Sequence, residues 1–553
     1  MPTPRLFECA PRLRRWFRGP RGGSRPARRH LAMLVLLAAA TAPGLGHAET
    51  YYVAERGKDG GAGTEKAPWK TLAHAAERVR PGDTVMVRPG VYEGFWLETS
   101  GRPDARIRFI GEPGALIDRG PSHSSRDNIN LEAASYIDIE GFEVTSGWRA
   151  GIRAVECTGV HIRNNVVHDN GRWAIFTGFC DDLIIENNVA AGARREHGIY
   201  VSNASKRPVV RGNHIFGNRM AGLHMNGDAS MGREGMIMDA VVENNLIHDN
   251  GVGGGAGINC DGIQNSAIRN NVLYDNHANG ITLYRIDARA PSTGNRVVHN
   301  TIWMSQRSRW CIRIVDASVG NTFAGNICLN DHPTHGAIDT DEASLKGLTS
   351  DHNVLIGRFT VDDGDSVLDL DDWRRRSGQD THSFTAEAEA LFVDAARRDL
   401  RLRKGSPAID RGPAQPGVAA DYAGHRRQVG AAPDIGAIEY CPDGACERTG
   451  PHAGPALSGP GSRAPSPTPA AAVGTGAGGS APEATSAPPA PGGQVGGQVS
   501  ADERPAQGDS PRTPATPVKS GNGGCCRAQA TPDPSLAGAL LGLVWLAARR
   551  RRR

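Results

Sequence analysis

Between about Ser135 and Arg358 the apolar positions recur in step with asparagine. Phe142 stands in the first register, followed by Asn165, Asn188, Asn213, Asn245, Asn271, Asn300, Asn326 and Asn353. Three positions before the first eight of these come Ile139, Ile162, Ile185, Val210, Val242, Ile268, Val297 and Phe323; two positions after them come Val144, Val167, Ala190, Ile215, Ile247, Leu273, Ile302 and Cys328. A second apolar beat follows a small residue, as in Gly151-Ile152, Gly198-Ile199, Gly222-Leu223, Gly257-Ile258 and Gly280-Ile281. Self-similarity at about 23 to 30 residues means stacked units, each too small to bury its own apolar face.

The runs are short and β-branched, with period-2 alternation, and none keeps a 3.6-residue spacing long enough for a repeat helix. Each unit therefore predicts strands, turned at corners where Asn accepts the left-handed conformation. An Asn inside one coil can bond to the Asn of the next, which makes the ladder structural rather than catalytic. The IxNNxIxxN…GI pattern, as in Ile162 to Asn170 followed by Gly198-Ile199, resembles the right-handed parallel β-helix family, the pectate-lyase-like superfold, over roughly Tyr51 to Tyr440. That resemblance implies an all-β parallel solenoid, and it leaves function open, because lyases, hydrolases, epimerases and adhesins share the fold.

Around the repeats the pattern changes. Residues 1–48 carry an Arg-rich start, an apolar core at Leu31 to Ala40 and a small-x-small site at Gly46-His47-Ala48, which reads as a secretory signal peptide; Arg28-Arg29 leaves a twin-arginine route open. Residues 49–134 read as an N-terminal cap and first coils, with an amphipathic helix over Thr71 to Val79 and Trp69 packing beside it. This part resembles the cap of exported β-helix proteins and would cover otherwise unpaired strand edges. The repeats span 135–358. Residues 359–446 read as a C-terminal cap, with a helix from Asp369 to Gly378 and with Asp410, Asp421, Arg426 and Asp434 knitting turns. Residues 447–524 are rich in Pro, Ala, Gly and Ser and too poor in apolar residues to fold, so they read as a disordered linker. Residues 525–553 hold Cys525-Cys526, a short apolar run from Leu536 to Ala548 and five terminal Arg. This end resembles the C-terminal surface-sorting tail of myxobacterial proteins, which implies cleavage and retention at the cell surface through the cysteine. The apolar run is shorter than the ~20 residues of a full span.

Composition alters this picture at one point. The formal charge of +4 conceals nine Arg and one Glu in residues 1–48, so the remainder is about −4, and about −9 without the last five Arg. A mildly acidic body offers no nucleic-acid face. The partner expected is a polysaccharide, an acidic one requiring a local cation; membrane contact is expected only through the tail, and the body is expected to be a monomer. Cys157 and Cys180 share a column on adjacent coils, and Cys441 and Cys446 flank a short loop; both pairs are disulfide candidates in an exported protein. Cys260 and Cys328 read as core fillers.

Strand parity directs the search for chemistry. In the strand after each small-apolar step, one outward column reads Arg153, Phe176, Tyr200, His224, Asn259, Thr282, Arg313, Asp339, and the next reads Val155, Gly178, Ser202, Asn226, Asp261, Tyr284, Val315, Asp341. Polar, reactive types gather in the middle coils, flanked by the long insertions Gly227 to Met238 and Asp287 to Gly294. One reading is a lyase or epimerase: Arg285 neutralises a uronate carboxylate, and His224 and Tyr284 exchange protons with the sugar. His197, Tyr200, Asn226, Asn259 and Asp287 then bind substrate, while Asp228, Asp261 and Asn226 are candidate oxygen ligands for Ca2+. A second is a glycoside hydrolase using Asp261 with Asp228 or Asp287, since carboxylates one or two coils apart would lie roughly 5 or 9.6 Å from each other. A third is a carbohydrate-binding or adhesive surface protein that performs no catalysis.

Overall fold

The computed structural model describes residues 48–122, 126–444 and 446–457. The expected signal peptide, most of the linker and the Cys525-Cys526 tail lie outside those residues. The described chain coils into a right-handed parallel β-helix with three long sheets of twelve, eleven and eleven strands. Sheet I begins at Thr50–Val53 and ends at Thr349–Asp351; sheet II runs from Phe95–Leu97 to Phe359–Thr360; sheet III runs from Gly90–Glu93 to Val354–Leu355. One coil illustrates the rest: His161–Arg163 in sheet I, Val166–His168 in sheet III, Trp173–Gly178 in sheet II, then Ile184–Glu186 back in sheet I.

The corner between sheets I and III takes only two residues. The first is left-handed, with φ near 56° at Asn164, 55° at Asn187, 56° at Asn244 and 53° at Asn270. The second is the ladder Asn. Its side-chain oxygen receives the backbone N–H of the Asn one coil earlier, and its amide nitrogen donates to the oxygen of the Asn one coil later. Asn271 shows the full set: 3.0 Å from Asn245 N, 2.9 Å from Asn245 Nδ2, 3.0 Å onward to Asn300 Oδ1, and 2.9 Å to the Val242 carbonyl. Corner amides that would otherwise be buried without partners are thereby satisfied. A second ladder, Asn218, Asn250 and Asn276, lines the turn from sheet III to sheet II.

Inside the coils Ile152, Ile175, Ile199, Leu223, Ile258 and Ile281 stack in register, all fully buried. Cys260, Cys311 and Cys328 are buried thiols, while Cys157–Cys180 and Cys441–Cys446 are disulfides with Cα separations of 4.5 and 5.5 Å.

At the first coil a helix spans Leu72–Ala76, capped by the Thr71 hydroxyl and shorter than its periodicity suggests; Trp69 stacks on Tyr51 beside it. At the last coil the helix Leu370–Ser377 is capped by Asp369 and ended by left-handed Gly378, and its Trp373 lies flat on core Phe359. The chain beyond it does not stay at that end. It returns along the outer face of sheet III, where Phe392, Leu400, Tyr422, Ile435 and Ala437 bury Leu246, Val272, Trp303, Ile327 and Leu329. Within this segment Asp434 and Asp421 each accept backbone amides, and buried Arg427 pairs with Glu439. Arg426, expected in that cluster, is exposed, because the charge that had to be held inside falls one position later.

Candidate functional site

The outward face of sheet II carries the two columns in the register that parity implies. Tyr200 pairs with His224, His224 with Asn259 and Asn259 with Thr282; in the second column Ser202, Asn226, Asp261 and Tyr284 follow one another. The coil spacing therefore delivers one side chain every ~4.8 Å along a groove.

Five of the expected residues converge. The Tyr200 ring lies parallel to the His224 imidazole, with centroids 4.9 Å apart. His224 Nδ1 is 3.1 Å from His197 Nε2, and His224 Nε2 is 3.4 Å from the Tyr284 hydroxyl. Asn259 Nδ2 donates to that hydroxyl at 2.8 Å. The Asn bond fixes the protons. With one lone pair of the Tyr284 oxygen taken by an N–H, its own proton points to His224 Nε2, so His224 carries hydrogen on Nδ1 and donates to His197 Nε2. His197 Nδ1 then bears an N–H, and that atom is buried without a partner. Burial holds His224 down at about 3 and drives His197 well below the usual imidazole range, His224 adding to the effect on His197. Burial first, then the Asp261 charge, drives the Tyr284 phenol well above its ordinary value. At neutral pH the chain is thus His–His–Tyr, uncharged throughout.

Buried aromatic rings continue the column toward the N-terminal coils. Phe176 meets Trp173 at 4.6 Å and Tyr200 at 5.5 Å. Trp173 escapes a parity reading: it shares parity with inward Ile175, yet its ring joins the outer cluster of Phe176 and Val155. Its indole Nε1 is a second buried donor without a partner.

Asp261 does a different job from the one expected. Both carboxylate oxygens accept the Ile286 N–H at 3.0 Å, one takes Asp287 N–H at 2.7 Å and the other Ala288 N–H at 3.4 Å. It anchors the loop beside the groove, and burial lifts it to about 6 in spite of those donors. Asp228 caps the turn Ala229–Met231 through Ser230. With both oxygens of Asp261 given to backbone amides, a hydrolytic pair that includes Asp261 lacks a free oxygen to offer. Asn226 bonds Asp287, whose carboxyl is raised by burial and by the charge of Asp228.

Arg285, at the start of the anchored loop, is exposed. Its Nε donates to the Ala288 carbonyl at 3.3 Å, its backbone N–H to Asp316, and no carboxylate pairs with its guanidinium among the described ion pairs. It stands next in sequence to Tyr284, and none of its described hydrogen bonds reaches His224. A separate depression of about 410 Å3 is lined by Glu156, Thr158, Phe179, Asp181, Met231 and Arg233, none of them a residue of this chain of contacts.

Residues 51–300 match the family model described as Pel9A-like, right handed beta helix region. The uncharacterized protein YwoF of Bacillus subtilis (strain 168) is 28% identical over 173 residues, 31% of this chain; the chain spans only 30% of that relative's length. Among solved structures, similarity extends to pectate lyase Pel9A (18% identity, TM-score 0.49, covering 72% of this chain and 97% of that one). It extends also to a rhamnogalacturonan lyase (16%, 0.43, 55% and 87%) and to an alginate lyase from Paenibacillus sp. str. FPU-7 (16%, 0.36, 52% and 97%).

Proposed function

We propose that this chain is an exported β-helix protein that binds an acidic polysaccharide along the outer face of sheet II and cleaves or epimerises it. The observation that carries the reading is the uncharged His197–His224–Tyr284 chain, pinned by Asn259 and flanked by exposed Arg285. The match of residues 51–300 to a Pel9A-like family model supports a carbohydrate partner.

In a uronate unit the proton next to the carboxyl group must leave, and a nearby cation makes its departure easier. Arg285 supplies that charge on the solvent side of the loop. As Tyr284 turns its O–H from His224 Nε2 to the departing oxygen, that nitrogen is freed and accepts the proton, and the Nδ1–H of His224 shares the resulting charge with His197. The electron pair of the broken C–H bond forms the ring double bond as the C–O bond to the next sugar breaks. Tyr284, whose phenol keeps its proton throughout the ordinary pH range, donates to the departing oxygen. An epimerase would use the same first step and return the proton to the other face. Phe176 and Trp173, buried beneath Tyr200, hold that ring against His224.

The body is led out of the cell by residues 1–48, closed at its first coil by the helix Leu72–Ala76, and held at the surface by a tail that is cleaved near Cys525-Cys526. Peptide mass spectrometry of the native protein tests the last point: an intact C-terminal Arg run in the mature form would refute processing.

The enzymatic claim is tested by incubating the protein with a panel of uronic-acid polymers, with and without Ca2+, following unsaturated-product absorbance and reducing ends together. Absorbance that falls at least ~100-fold in His224→Ala and in Tyr284→Phe establishes the lyase and its acid–base pair. Reducing ends without absorbance would transfer the activity to a hydrolase. Binding to a polymer with neither signal would leave a carbohydrate-binding surface protein.

A further inference from the structure

The corner between sheets I and III ends in two stacked imidazoles. Its left-handed position is Asn or Gly along most of the stack and His at His299; His352 occupies it on the last complete coil, with φ near 56°. The chain then leaves through the helix Leu370–Ser377 and comes back over residues 379–384 to lay a partial coil on top. Asp380 N–H bonds the Ser350 carbonyl at 2.7 Å, Ser383 Oγ accepts Asn353 N–H at 2.9 Å, and Phe384 N–H reaches the Asn353 carbonyl at 3.0 Å. This seating sets His382 over His352, rings stacked with centroids 4.8 Å apart.

Asp351 joins the two layers. Its Oδ1 accepts the backbone N–H of His352 at 2.9 Å and of His382 at 2.7 Å, one from each layer. That anchoring turns Oδ2 toward both rings: it lies 2.6 Å from His382 Nδ1 and 3.4 Å from His352 Nδ1. Thr381 Oγ1 is 3.2 Å from His382 Nδ1 and 3.4 Å from Asp351 Oδ2. Two imidazole nitrogens and a carboxylate oxygen thus face one point, with their ligand atoms all within 4.8 Å of one another.

We infer that Asp351, His352 and His382 form a binding site for a divalent transition-metal ion of the zinc type, joining the last complete coil to the partial coil above it. Bonds of about 2.0–2.1 Å in a tetrahedral shell place ligand atoms roughly 3.4 Å apart, so the 3.4 Å separation already suits an ion. The 2.6 Å separation opens by a small swing of His382, whose side chain is 67% exposed and free to move. Two imidazoles with one carboxylate select zinc, cobalt or nickel over the hard ions Ca2+ and Mg2+, which demand oxygen shells. The backbone bonds to Oδ1 hold the carboxylate in orientation while Oδ2 binds, as outer-shell contacts do in established sites. Water or Thr381 completes the shell. Since the ligands come from both layers, the ion binds only the seated end and stabilises it by mass action.

The other group of potential ligands, His425 with Cys441 and Cys446, does not compete, because its two sulfurs are joined to each other.

The test uses the untagged, non-reduced full-length protein, stripped of metal and titrated with ZnCl2 by calorimetry, with Co2+ absorbance as a report on the shell. One ion per chain is expected, with a tetrahedral-type visible band for cobalt and a rise in unfolding temperature of about 2–4 °C at saturation. His382→Ala, at an exposed position, should leave the metal-free unfolding temperature unchanged, weaken zinc at least 10-fold and remove the thermal gain. His352→Asn, which restores the residue usual at this corner, should do the same. No binding at 1:1 stoichiometry, or binding unchanged in His352→Asn/His382→Ala, would overturn the site. So would binding that arises only after reduction, which would move the ion to His425 and the freed Cys441 and Cys446.

Discussion

His224 is the residue on which the groove turns, and its burial sets a measurable pH dependence. Folded, it titrates at about 3; unfolded, near the ordinary 6.5. Between those values the unfolded chain holds the extra proton, so stability is complete above about pH 6.5 and is lost as pH falls toward 3. The upper bound from this group is about 5 kcal/mol. His214, held down to about 4 chiefly by burial, adds a loss of the same sign over a narrower window. Denaturant unfolding at pH 7 and pH 4.5 should show the loss, and His224→Gln should reduce it; a variant with the wild-type slope would place the acid sensitivity elsewhere. Asp261→Asn tests the anchoring role. One amide oxygen cannot replace two carboxylate oxygens serving three N–H groups, so the variant should lose about 1–3 kcal/mol and open the loop 285–290 to limited proteolysis. Because that loop carries Arg285, KM for a uronate polymer should rise more than kcat falls.

At the scale of elements two ladders tie the coils together, and they differ in strength. The Asn ladder is buried, and each rung makes several bonds, so Asn271→Ala leaves the Asn245 amides and the Val242 carbonyl unpaired. About 2–4 kcal/mol should be lost in denaturant unfolding, more than an exposed Asn on the same corner would cost. Beside it on sheet I runs an alternation of charge, Glu140, Arg163, Glu186, Arg211, Glu243, Arg269, paired across coils. Partly exposed pairs of this kind are worth about 0–1 kcal/mol each. Arg211→Glu would set three carboxylates in one column and should destabilise by about 1–2 kcal/mol at 20 mM salt and clearly less at 500 mM. The ladders also show why so much of the architecture is legible in sequence. A solenoid repeats its contacts at fixed spacing, so Ile162 and Ile185 declare their register, and parity places Tyr200, His224, Asn259 and Tyr284 on one face. Parity fails where the chain leaves the strand: His197 enters from a turn, Trp173 swings out against its parity, and Asp261 is claimed by amides that arrive 25 to 27 residues later. Those contacts depend on how particular loops return, which no local pattern encodes.

For the molecule as a whole, the segment 384–457 decides whether sheet III is a surface or an interior. Leu246, Val272, Trp303, Ile327, Leu329 and Val354 are outward-facing and apolar, and all six are buried by that segment. The segment is fastened by more than contact: Arg398 lies 3.8 Å over the Trp303 ring and pairs with Asp275, and the Ala437 N–H bonds Thr301 Oγ1 at 2.9 Å. The same six side chains, uncovered, would form one continuous apolar strip of parallel strands. At about 1.5–3 kcal/mol each, their burial carries on the order of 10 kcal/mol, comparable with the whole stability of an ordinary domain. A chain ending at residue 383 should therefore be recovered as aggregates on size exclusion, even though its coils and its groove are intact in sequence. Replacing the strip's centre together with the truncation, as Trp303→Thr, Ile327→Thr and Leu329→Thr, should restore a soluble species with strand-rich circular dichroism. If the simple truncation were instead monomeric and as stable as the full chain, the flank would be an accessory to the solenoid. A soluble but weakened truncation would divide the stability between coil stacking and the flank, and the difference in unfolding free energy would measure the flank's share.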